Sequence, residues 1–291
     1  MQEWKTYRIG DICKRVCSGG TPKSTEPSYY DGEIPWLNTK EINFNRISST
    51  EKHITLSGLE NSSAKWIDKN SVIVAMYGAT AAKVAINTIP LTTNQACCNL
   101  SIDETKADYR FVYYWLCSRY SELASLANGG AQQNLNAQQI KDFEIKLPEI
   151  QTQQKIADLL WSIDNKIICN KSINDNLEQQ AQALFNYFFV DNINELGDYH
   201  EGSLTDIASY LNGLAMQKFR PEGTDCGLPV LKIKELGQGF CDSSSDRCSS
   251  YIKDDYVINN GEIIFSWSGT LLVDFWCAGK CGLVSIRRST Y

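Results

Sequence analysis

Cysteine is the residue of this chain best suited to reactive or metal-binding chemistry, because the sequence holds eleven cysteines and only two histidines. The most closely spaced pairs are Cys13 and Cys17, Cys97 and Cys98, and Cys277 and Cys281. None of them has the C-x-x-C spacing that binds zinc in ribbons and fingers. The odd number of cysteines and the length of the chain also disfavour a disulfide framework. We therefore predict reduced thiols, no metal site and no cofactor.

Catalytic motifs are absent from the sequence. It contains no Asn-Pro-Pro-Tyr or Asp-Pro-Pro-Tyr segment of an adenine methyltransferase, no G-x-x-x-x-G-K-[ST] phosphate loop and no H-E-x-x-H pair. The Ser-Gly-Gly at residues 18–20 lacks the Lys-Ser/Thr of a phosphate loop, and we interpret it as a turn. We therefore predict no catalytic residue, which directs attention to side chains that bind.

The length of 291 residues allows two domains that each bury their own core. With 43% hydrophobic and 21% charged residues, the composition is that of a globular protein, and no apolar run is long enough to cross a membrane. The first residues carry no export signal, so we expect a cytoplasmic location. The net charge of −6 is concentrated in residues 149–200, so the first 148 residues are nearly neutral and could carry a basic face.

Three phrases occur twice in the chain, in the same order. "RIGDI" at residues 8–12 is echoed by "SLTDI", "IPWLNTKEI" at 34–42 by "LPVLKIKEL", and "NSVIVAMYGAT" at 70–80 by "NGEIIFSWSGT". The echoes begin at residues 203, 228 and 260. A repeat at fixed order indicates a duplicated structural unit. We interpret the chain as one complete unit followed by about the first half of another.

The first unit is predicted to be mostly β until about Asp108, because short β-branched and aromatic runs are separated by Gly, Pro and Asn. A helix is predicted at residues 107–127, ended by Asn128, Gly129 and Gly130. Residues 149–189 contain no Pro or Gly and predict a helix of about 40 residues, or roughly 60 Å.

The long helix carries an apolar seam at alternating spacings of four and three, which is typical of a coiled coil. Its members, predicted to pair with another helix, are Ile156, Leu160, Ile163, Ile167, Asn170, Asn174, Leu177, Ala181, Leu184 and Phe188. The two asparagines form a polar break that can fix the register of the pair. The alternative is an amphipathic helix that lies along its own domain.

The segments "GGTP", "YYDGEIPWLNTKEI", "TNQAC", "GAQQNLNAQQI" and "LPEIQTQQKIADLLWSIDNKI" resemble the specificity subunit of type I DNA restriction-modification systems. The resemblance covers the first unit and the beginning of the second. It implies two target-recognition domains, each followed by a long helix, with the two helices paired antiparallel as a spacer. It also implies a subunit without its own catalytic centre that binds methyltransferase (M) subunits, through them restriction (R) subunits, and a split site in double-stranded DNA.

The predicted fold class is α+β, with a mostly β target-recognition domain that includes helices, a long coiled-coil helix and an incomplete second copy of the domain. The predicted boundaries are 1–148 for the first recognition domain, 149–190 for the helix, 191–202 for a linker and 203–291 for the partial second domain. We expect this second domain to be truncated. We also expect two copies of the chain to pair through the long helix as a homodimer.

DNA recognition needs cations for phosphates and amide or hydroxyl groups for base edges. In the first unit the candidate cations are Lys23, Lys40, Arg46 and Lys83, and the candidate base readers are Thr21, Asn38, Asn94, Gln95, Gln132, Gln133 and Asn134. In the second unit the candidates are Lys218, Arg220, Lys232 and Lys234. The alternatives are ordinary solvated charges and, for Asn94 and Gln95, amides that satisfy a turn.

The sequence leaves other functions open. One is a silent or DNA-nonspecific variant that only docks the methyltransferase subunit, or a segment kept as a reservoir for recombination. A nuclease or methylase acting alone is disfavoured by the absence of motifs.

Overall fold

The computed structural model describes residues 4–127, 134–195, 197, 200–266, 270–283 and 287–290. It divides into two compact units, Met1–Leu184 and Phe185–Tyr291. The predicted α+β class is confirmed: both units are built on β-sheets, and the first ends in one long helix. No helix of the described part is both long and apolar enough to span a bilayer.

The described residues of the first unit form eleven strands and five helices. The strands are β1 (Lys5–Arg8), β2 (Cys13–Ser18), β3 (Tyr30–Leu37), β4 (Asn45–Ile47), β5 (Lys52–Ile54), β6 (Trp66–Ile67), β7 (Val72–Ala75), β8 (Val84–Asn87), β9 (Leu91–Thr93), β10 (Cys97–Ile102) and β11 (Glu144–Leu147). The helices are α1 (Leu56–Glu60), α2 (Tyr109–Ser118), α3 (Tyr120–Ser125), α4 (Ala137–Asp142) and α5 (Ile150–Asn186). Short 3-10 turns cover Ile9–Ile12, Pro27–Tyr29, Thr39–Glu41 and Gly78–Thr80.

Two sheets form the body of the first unit, and β1 pairs separately with β11. The five-stranded sheet has the order β2-β10-β7-β8-β4, and the four-stranded sheet has the order β5-β3-β9-β6. The central pair of the smaller sheet, β3 and β9, is parallel, with Trp36 opposite Thr92. One core lies under α2 and α4, and a second lies between the two sheets. Strand β7 is buried throughout because it contributes to both cores, which confirms the sequence prediction for this strand.

The second unit repeats the order of both sheets. Its elements are α6 (Leu204–Ile207), β12 (Ser209–Asn212), β13 (Leu228–Leu231), α7 (Ile233–Gln238), β14 (Arg247–Cys248), β15 (Val257–Ile258), β16 (Glu262–Ser266), β17 (Leu272–Trp276), β18 (Cys281–Leu283) and β19 (Arg287–Thr290), with 3-10 turns at Ile193–Glu195, Met216–Lys218 and Asp254–Tyr256. The order β14-β13-β18-β15 matches the smaller sheet of the first unit strand by strand, and β12-β19-β16-β17 matches β2-β10-β7-β8 of the larger sheet. Among the described residues of the second unit, β4 has no counterpart. The central pair β13 and β18 is again parallel.

The third phrase of the repeat is offset by one residue in the structure. A left-handed turn residue precedes each matched strand, and it is Asn70 (φ 68°) in the first unit and Gly261 (φ 87°) in the second. Each donates its backbone N–H across the hairpin, Asn70 to the Asn87 carbonyl at 2.8 Å and Gly261 to the Trp276 carbonyl at 2.7 Å. Asn70 is therefore structurally equivalent to Gly261 and not to Asn260, with which the sequence repeat aligns it. Gly suits this turn because it adopts positive φ most easily.

The helix predicted at residues 107–127 is two helices, α2 and α3, which meet at Arg119 (φ −107°, ψ 20°). Just before the break, the Ser118 hydroxyl donates to the Trp115 carbonyl at 2.8 Å, a local bond that competes with the helical pattern. The predicted stop at residues 128–130 lies outside the described residues.

The long helix α5 confirms the predicted continuous helix, with bounds of Ile150–Asn186 followed by a π-helical turn at Tyr187–Asp191. Gln153 and Ala157 near its start are buried on the first unit, whereas every residue from 165 to 186 is exposed. The alternative of a helix lying along its own domain thus describes the first four turns only.

Candidate nucleic-acid interface

The loops that follow β2, β3, β7 and β9 meet at one edge of the first unit. Gly20 donates its backbone N–H to the Thr93 carbonyl at 2.8 Å, Asn94 donates to Leu37 at 3.0 Å, and Met76 donates to Ala96 at 2.8 Å. We call the loops at residues 19–21, 38–41, 76–80 and 94–96 the loop edge. It is a set of short turns held on buried strands, and such turns can present polar side chains in a fixed arrangement.

The two glycines of the "GGTP" segment are required by close packing at this edge. A Cβ on Gly19 would lie 2.1 Å from the Thr93 carbonyl oxygen, and one on Gly20 would lie 2.2 Å from the Ala64 nitrogen. No side chain fits at these distances, so Gly19 packs directly against the β9 loop and Gly20 against Ser63 and Ala64.

Two of the predicted base readers, Asn38 and Asn94, bind each other. The Asn94 amide donates to Asn38 Oδ1 at 3.2 Å, while Asn94 Oδ1 accepts from the backbone N–H of Ala96 at 3.1 Å and from the Cys97 thiol at 3.3 Å. These contacts agree with the alternative interpretation of Asn94, in which its amide satisfies hydrogen-bonding groups of the turn. Asn38 and Asn94 thus stabilise the loop edge through hydrogen bonds between its own residues.

Thr21 and Gln95 present polar groups to solvent on the loop edge. Both residues are exposed, and the Thr21 hydroxyl donates to Gln95 Oε1. Asn134 is also exposed and forms a backbone bridge with Tyr77 on the same edge. Gln132 and Gln133 lie outside the described residues. The structure thus brings Thr21, Gln95 and Asn134 to one edge, although the sequence separates them widely.

Lys40 lies in a turn of the loop edge, and two further lysines follow its loops closely, Lys23 after residues 19–21 and Lys83 after residues 76–80. Lys40 and Lys23 are exposed, and Lys83 is half-buried. Lys40 pairs with Glu51 at 2.5 Å, and this hydrogen-bonded carboxylate raises the pKa of the lysine above its ordinary value. Lys83 donates to Asn43 Oδ1 at 2.8 Å. The exposed Lys40–Glu51 ion pair is weak and can exchange for a phosphate.

Arg46 lies away from the loop edge. Its β4 strand pairs with β8 beside Ile86, and its side chain is only 11% exposed. The guanidinium stacks on the ring of Trp161 in α5 and donates to the Trp161 carbonyl at 3.2 Å. These contacts join β4 to the long helix, so we leave Arg46 out of the proposed DNA contacts.

In the second unit, Lys232 occupies the position of Asn38, and Lys234 that of Lys40. Lys232 forms an ion pair with Asp246, and Lys234 donates to the Ser244 hydroxyl at 3.0 Å. Lys218 and Arg220 are exposed in the loop between β12 and β13. The position of Asn38, an internal amide in the first unit, is thus occupied in the second unit by the cation of Lys232.

The glutamate of the repeated phrase is a structural residue that the sequence reasoning missed. Glu41 Oε1 accepts from the Asn38 backbone N–H at 3.0 Å, and Oε2 accepts from the Glu51 N–H at 2.9 Å. Glu235 repeats the first bond with Lys232 at 3.3 Å and accepts from the Ser245 hydroxyl at 3.1 Å. The sequence did contain a signal for this role, because the glutamate occupies the same place in both phrases. The glutamate fixes the turn that carries the lysine.

Tyr77 is a second residue that was missed. It stands 43% exposed at the end of the buried strand β7, within the loop edge. The signal in the sequence was an aromatic residue followed by Gly78, which adopts a φ of 74° with open space around it. An exposed aromatic ring among polar groups is a suitable contact for a base or a sugar.

The seam of α5 is exposed from Ile163 onward. Ile156 and Leu160 are half-buried, whereas the remaining members are exposed: Ile163, Ile167, Asn170, Asn174, Leu177, Ala181, Leu184 and Phe188, the last within the π-helical turn. Exposed apolar side chains on both sides of the Asn170 and Asn174 break mark a surface for association.

All eleven cysteines are unpaired. Burial raises the pKa of the Cys13 and Cys98 thiols to about 12, so both are protonated at neutral pH. Among the described residues, no three His, Cys, Asp or Glu side chains are arranged to bind a metal ion.

The described residues thus form a two-sheet module with a polar loop edge, a long exposed helix and a second copy of most of the two sheets. Residues 1–179 match the family model described as "Type I restriction modification DNA specificity domain", and the chain belongs to this family. This membership confirms the resemblance drawn from the sequence. It also confirms the interpretation as a specificity component, which is the non-catalytic class of type I subunit.

Among curated relatives, the type I restriction enzyme MjaIX specificity subunit of Methanocaldococcus jannaschii is 28% identical over 293 residues, covering 93% of this chain and 67% of that protein. The EcoR124I/EcoR124II specificity subunit of Escherichia coli is also 28% identical, over 186 residues that cover 62% of this chain and 44% of that protein. The crystal structure of the type I restriction-modification S subunit from M. genitalium shares the fold, with a TM-score of 0.64, 17% identity and coverage of 99% of this chain and 72% of that one.

Proposed function

We propose that this protein is a sequence-specific DNA-recognition subunit of a type I restriction-modification complex, and that the loop edge of the first unit reads one half of a split target. The observation that carries the proposal is the exposed Thr21–Gln95 pair on a rigid edge. The Thr21 hydroxyl occupies one of the two lone pairs of Gln95 Oε1, so the amide keeps one acceptor lone pair and its N–H donors for a bidentate contact with a base. Glutamine and asparagine amides are the usual partners of adenine in the major groove.

Phosphate contacts come from the cations around the loop edge. Lys40 lies in one of its turns and Lys23 and Lys83 lie close beside it, and each can neutralise a phosphate without rearrangement of the strands. Because the net charge of the chain is −6, binding depends on this local group of cations rather than on the overall field.

The exposed seam of α5 is the proposed surface for partner helices. Antiparallel pairing of two copies would cover it and present two identical loop edges to an inverted repeat in double-stranded DNA, with the helix length setting the gap. The methyltransferase (M) subunits bind alongside, and restriction (R) subunits join through them in the cytoplasm. Light scattering is expected to show a dimer at tens of micromolar. A monomer with a folded helix would contradict this pairing.

A second candidate function is docking of the methyltransferase subunit without specific reading of DNA. It is favoured by the second unit, where apolar side chains that are buried in the first unit stand exposed. A related candidate is that the second unit reads a different half-site through Lys232 and Lys234, with Lys218 and Arg220 at phosphates.

The experiment is selection of random DNA duplexes by the full chain with its methyltransferase subunit. The variant is Gln95→Leu, and the matched control is Gln138→Leu, an exposed glutamine on α4 outside the loop edge. We expect the first change to reduce discrimination at one base pair by about tenfold, since a bidentate contact contributes about 1–3 kcal/mol. The proposal would be contradicted if Gln95→Leu and Gln138→Leu selected the same DNA motif, or if the wild type selected none.

A further inference from the structure

The first four turns of α5 are fixed on the first unit by side chains of one face. Gln153 is buried; its Oε1 accepts from the Asp108 backbone N–H at 3.0 Å and its amide donates to the Pro148 carbonyl at 2.9 Å. One turn later Ala157 is fully buried in the core. These contacts fix the position of the helix start and leave its direction to the next turns.

Arg46 binds those next turns from β4. Its guanidinium carbon lies 3.3 Å from the centroid of the Trp161 ring, and its Nη2 lies 3.5 Å from Asp164 Oδ2. It also donates to Asn165 Oδ1 and to the Trp161 carbonyl. One planar side chain therefore contacts three positions over more than a turn of α5, and guanidinium suits both stacking and multidentate bonding.

Two residues of α2 extend this attachment. The Tyr114 hydroxyl donates to Asp164 Oδ2 at 2.6 Å, so the carboxylate is bound by Arg46 and by Tyr114. Burial, followed by this bond to an anion, raises the pKa of Tyr114, and the hydroxyl stays protonated as the donor. Arg110 bridges Asp108 and Asp158 of α5 at 2.8 Å and 2.6 Å.

The direction of the helix matters because the rest of α5 is exposed. About 22 residues separate Asp164 from the helix end, a distance of roughly 33 Å. A tilt of about 10° at the attachment would move the far end by about 6 Å, which approaches two base-pair steps of about 3.4 Å. A spacer of this length measures DNA only if its exit angle is fixed.

We infer that Arg46 is a positioning residue that fixes the direction in which α5 leaves the recognition domain. Its role in setting the distance between DNA half-sites rests on the proposed function; its role in fixing the helix does not. The sequence suggested a phosphate contact for this arginine, and the contacts with Trp161 and Asp164 reassign it.

The first test measures the angle without DNA. Spin labels carried by non-natural amino acids at the exposed Glu60 and Glu178 report the distance between domain and helix by double electron–electron resonance. Arg46→Met keeps an apolar side chain against Trp161 and removes every donor. We expect its distance distribution to be at least twice as wide as that of the wild type. An unchanged width would overturn the inference.

Two further variants make this result interpretable. Arg119→Met removes an arginine that stacks on Trp115 and pairs with Glu122, contacts that stay within α2 and α3. It should leave the distribution unchanged; equal broadening in this control would overturn the inference. If Arg46→Met fails to fold, Asp164→Asn tests the same attachment through its acceptor, and it should broaden the distribution by a smaller factor. An unchanged width in that variant would also overturn the inference.

The second test uses duplexes with the selected half-sites separated by spacers of varied length. The wild type should lose at least tenfold in affinity when the spacer changes by two base pairs, whereas Arg46→Met should lose less than threefold and bind an isolated half-site as the wild type does. The same spacer profile in both proteins would overturn the role in spacing. If the wild type binds no specific duplex, the proposed function fails, and the spin-label result still decides the role of Arg46.

Discussion

The two units share their sheets and differ in what covers them. Ile9 and Ile12 are fully buried in the first unit, whereas Leu204 and Ile207, which take their places in the second unit, are 64% and 66% exposed. The difference extends to the sheet, because Val84 and Ile86 of β8 are buried while their counterparts on β17, Val273 and Phe275, are exposed. The repeated phrases therefore encode the two-sheet scaffold and its turns. In the first unit the layer that covers this sheet comes from α2, α4 and α5, which lie outside the repeated phrases.

That layer can be identified in the first unit. Phe111, Val112 and Leu116 of α2, Ile140 of α4 and Ala157 of α5 share one core with Ile9, Ile12, Val84 and Ile86. A sheet with one apolar face uncovered has lost the hydrophobic contribution of that face, about 25 cal/mol for each Å². We therefore expect the first unit to be the more stable of the two, and we propose that it is the unit that binds DNA.

The largest expected effect comes from matched substitutions under and outside this layer. Ile12→Ala should lower the free energy of unfolding of the first unit by about 2–5 kcal/mol, because it leaves a cavity in a closed core. Ile207→Ala, at the equivalent exposed position, should change the second unit by about 0.5 kcal/mol or less. Hydrogen exchange of peptides from each unit in increasing urea measures both values. Equal losses of unfolding free energy in the two variants would show that the face of the second unit that carries Ile207 is covered in solution.

A smaller difference in stability is expected between variants of the glutamate and variants of the lysine in the repeated phrase. Glu41→Ala and Glu235→Ala should each destabilise their own unit by about 1–3 kcal/mol, because hydrogen-bond donors in the turn lose their acceptor. Lys40→Ala and Lys234→Ala should stay within about 0.5 kcal/mol, since both lysines are exposed. Urea denaturation of the four variants tests the ranking. A larger loss for the lysine variants would reverse the assignment of scaffold and binding roles.

The smallest expected effect is a dependence on acid that is centred on Asp225 in the second unit. Hydroxyl groups of Ser250 and Ser249 donate to Asp225 and lower the pKa of that carboxyl to about 2. A carboxylate with a lowered pKa stabilises the fold above its ordinary value near pH 4, and this contribution is lost as the pH falls toward 2. Asp225→Asn should therefore reduce the difference in exchange rate between pH 5 and pH 3 for residues 225–250. An unchanged difference would assign the acid response to other groups.

The sequence was sufficient for features that are local or periodic. Turn residues and β-branched runs predicted the strands, and the absence of Gly and Pro predicted α5 within a few residues of its bounds. Pairings between distant segments were out of reach, because nothing local indicates that Arg46 stacks on Trp161 or that Asn38 binds Asn94. For the same reason, the sequence identified polar residues suited to bases without separating those that face solvent, such as Gln95, from those that build the turn.

The break at Arg119 shows a second limit. Residues 107–127 have helical periodicity throughout, and the interruption between α2 and α3 depends on backbone geometry and on a serine hydroxyl that bonds to a nearby carbonyl. Helical propensity is a weak signal that such local bonds and tertiary packing override.

The most direct test of the central claim is a genome-wide map of methylated adenines in cells that contain the methyltransferase subunit together with the wild type, Gln95→Leu or Lys232→Ala. If two copies of the first unit read the DNA, the map will show a split palindromic motif that Gln95→Leu changes in both halves and Lys232→Ala leaves intact. A motif with two different halves, of which Lys232→Ala changes one, or a motif that Gln95→Leu leaves unchanged, would contradict the claim that the covered unit alone reads the target.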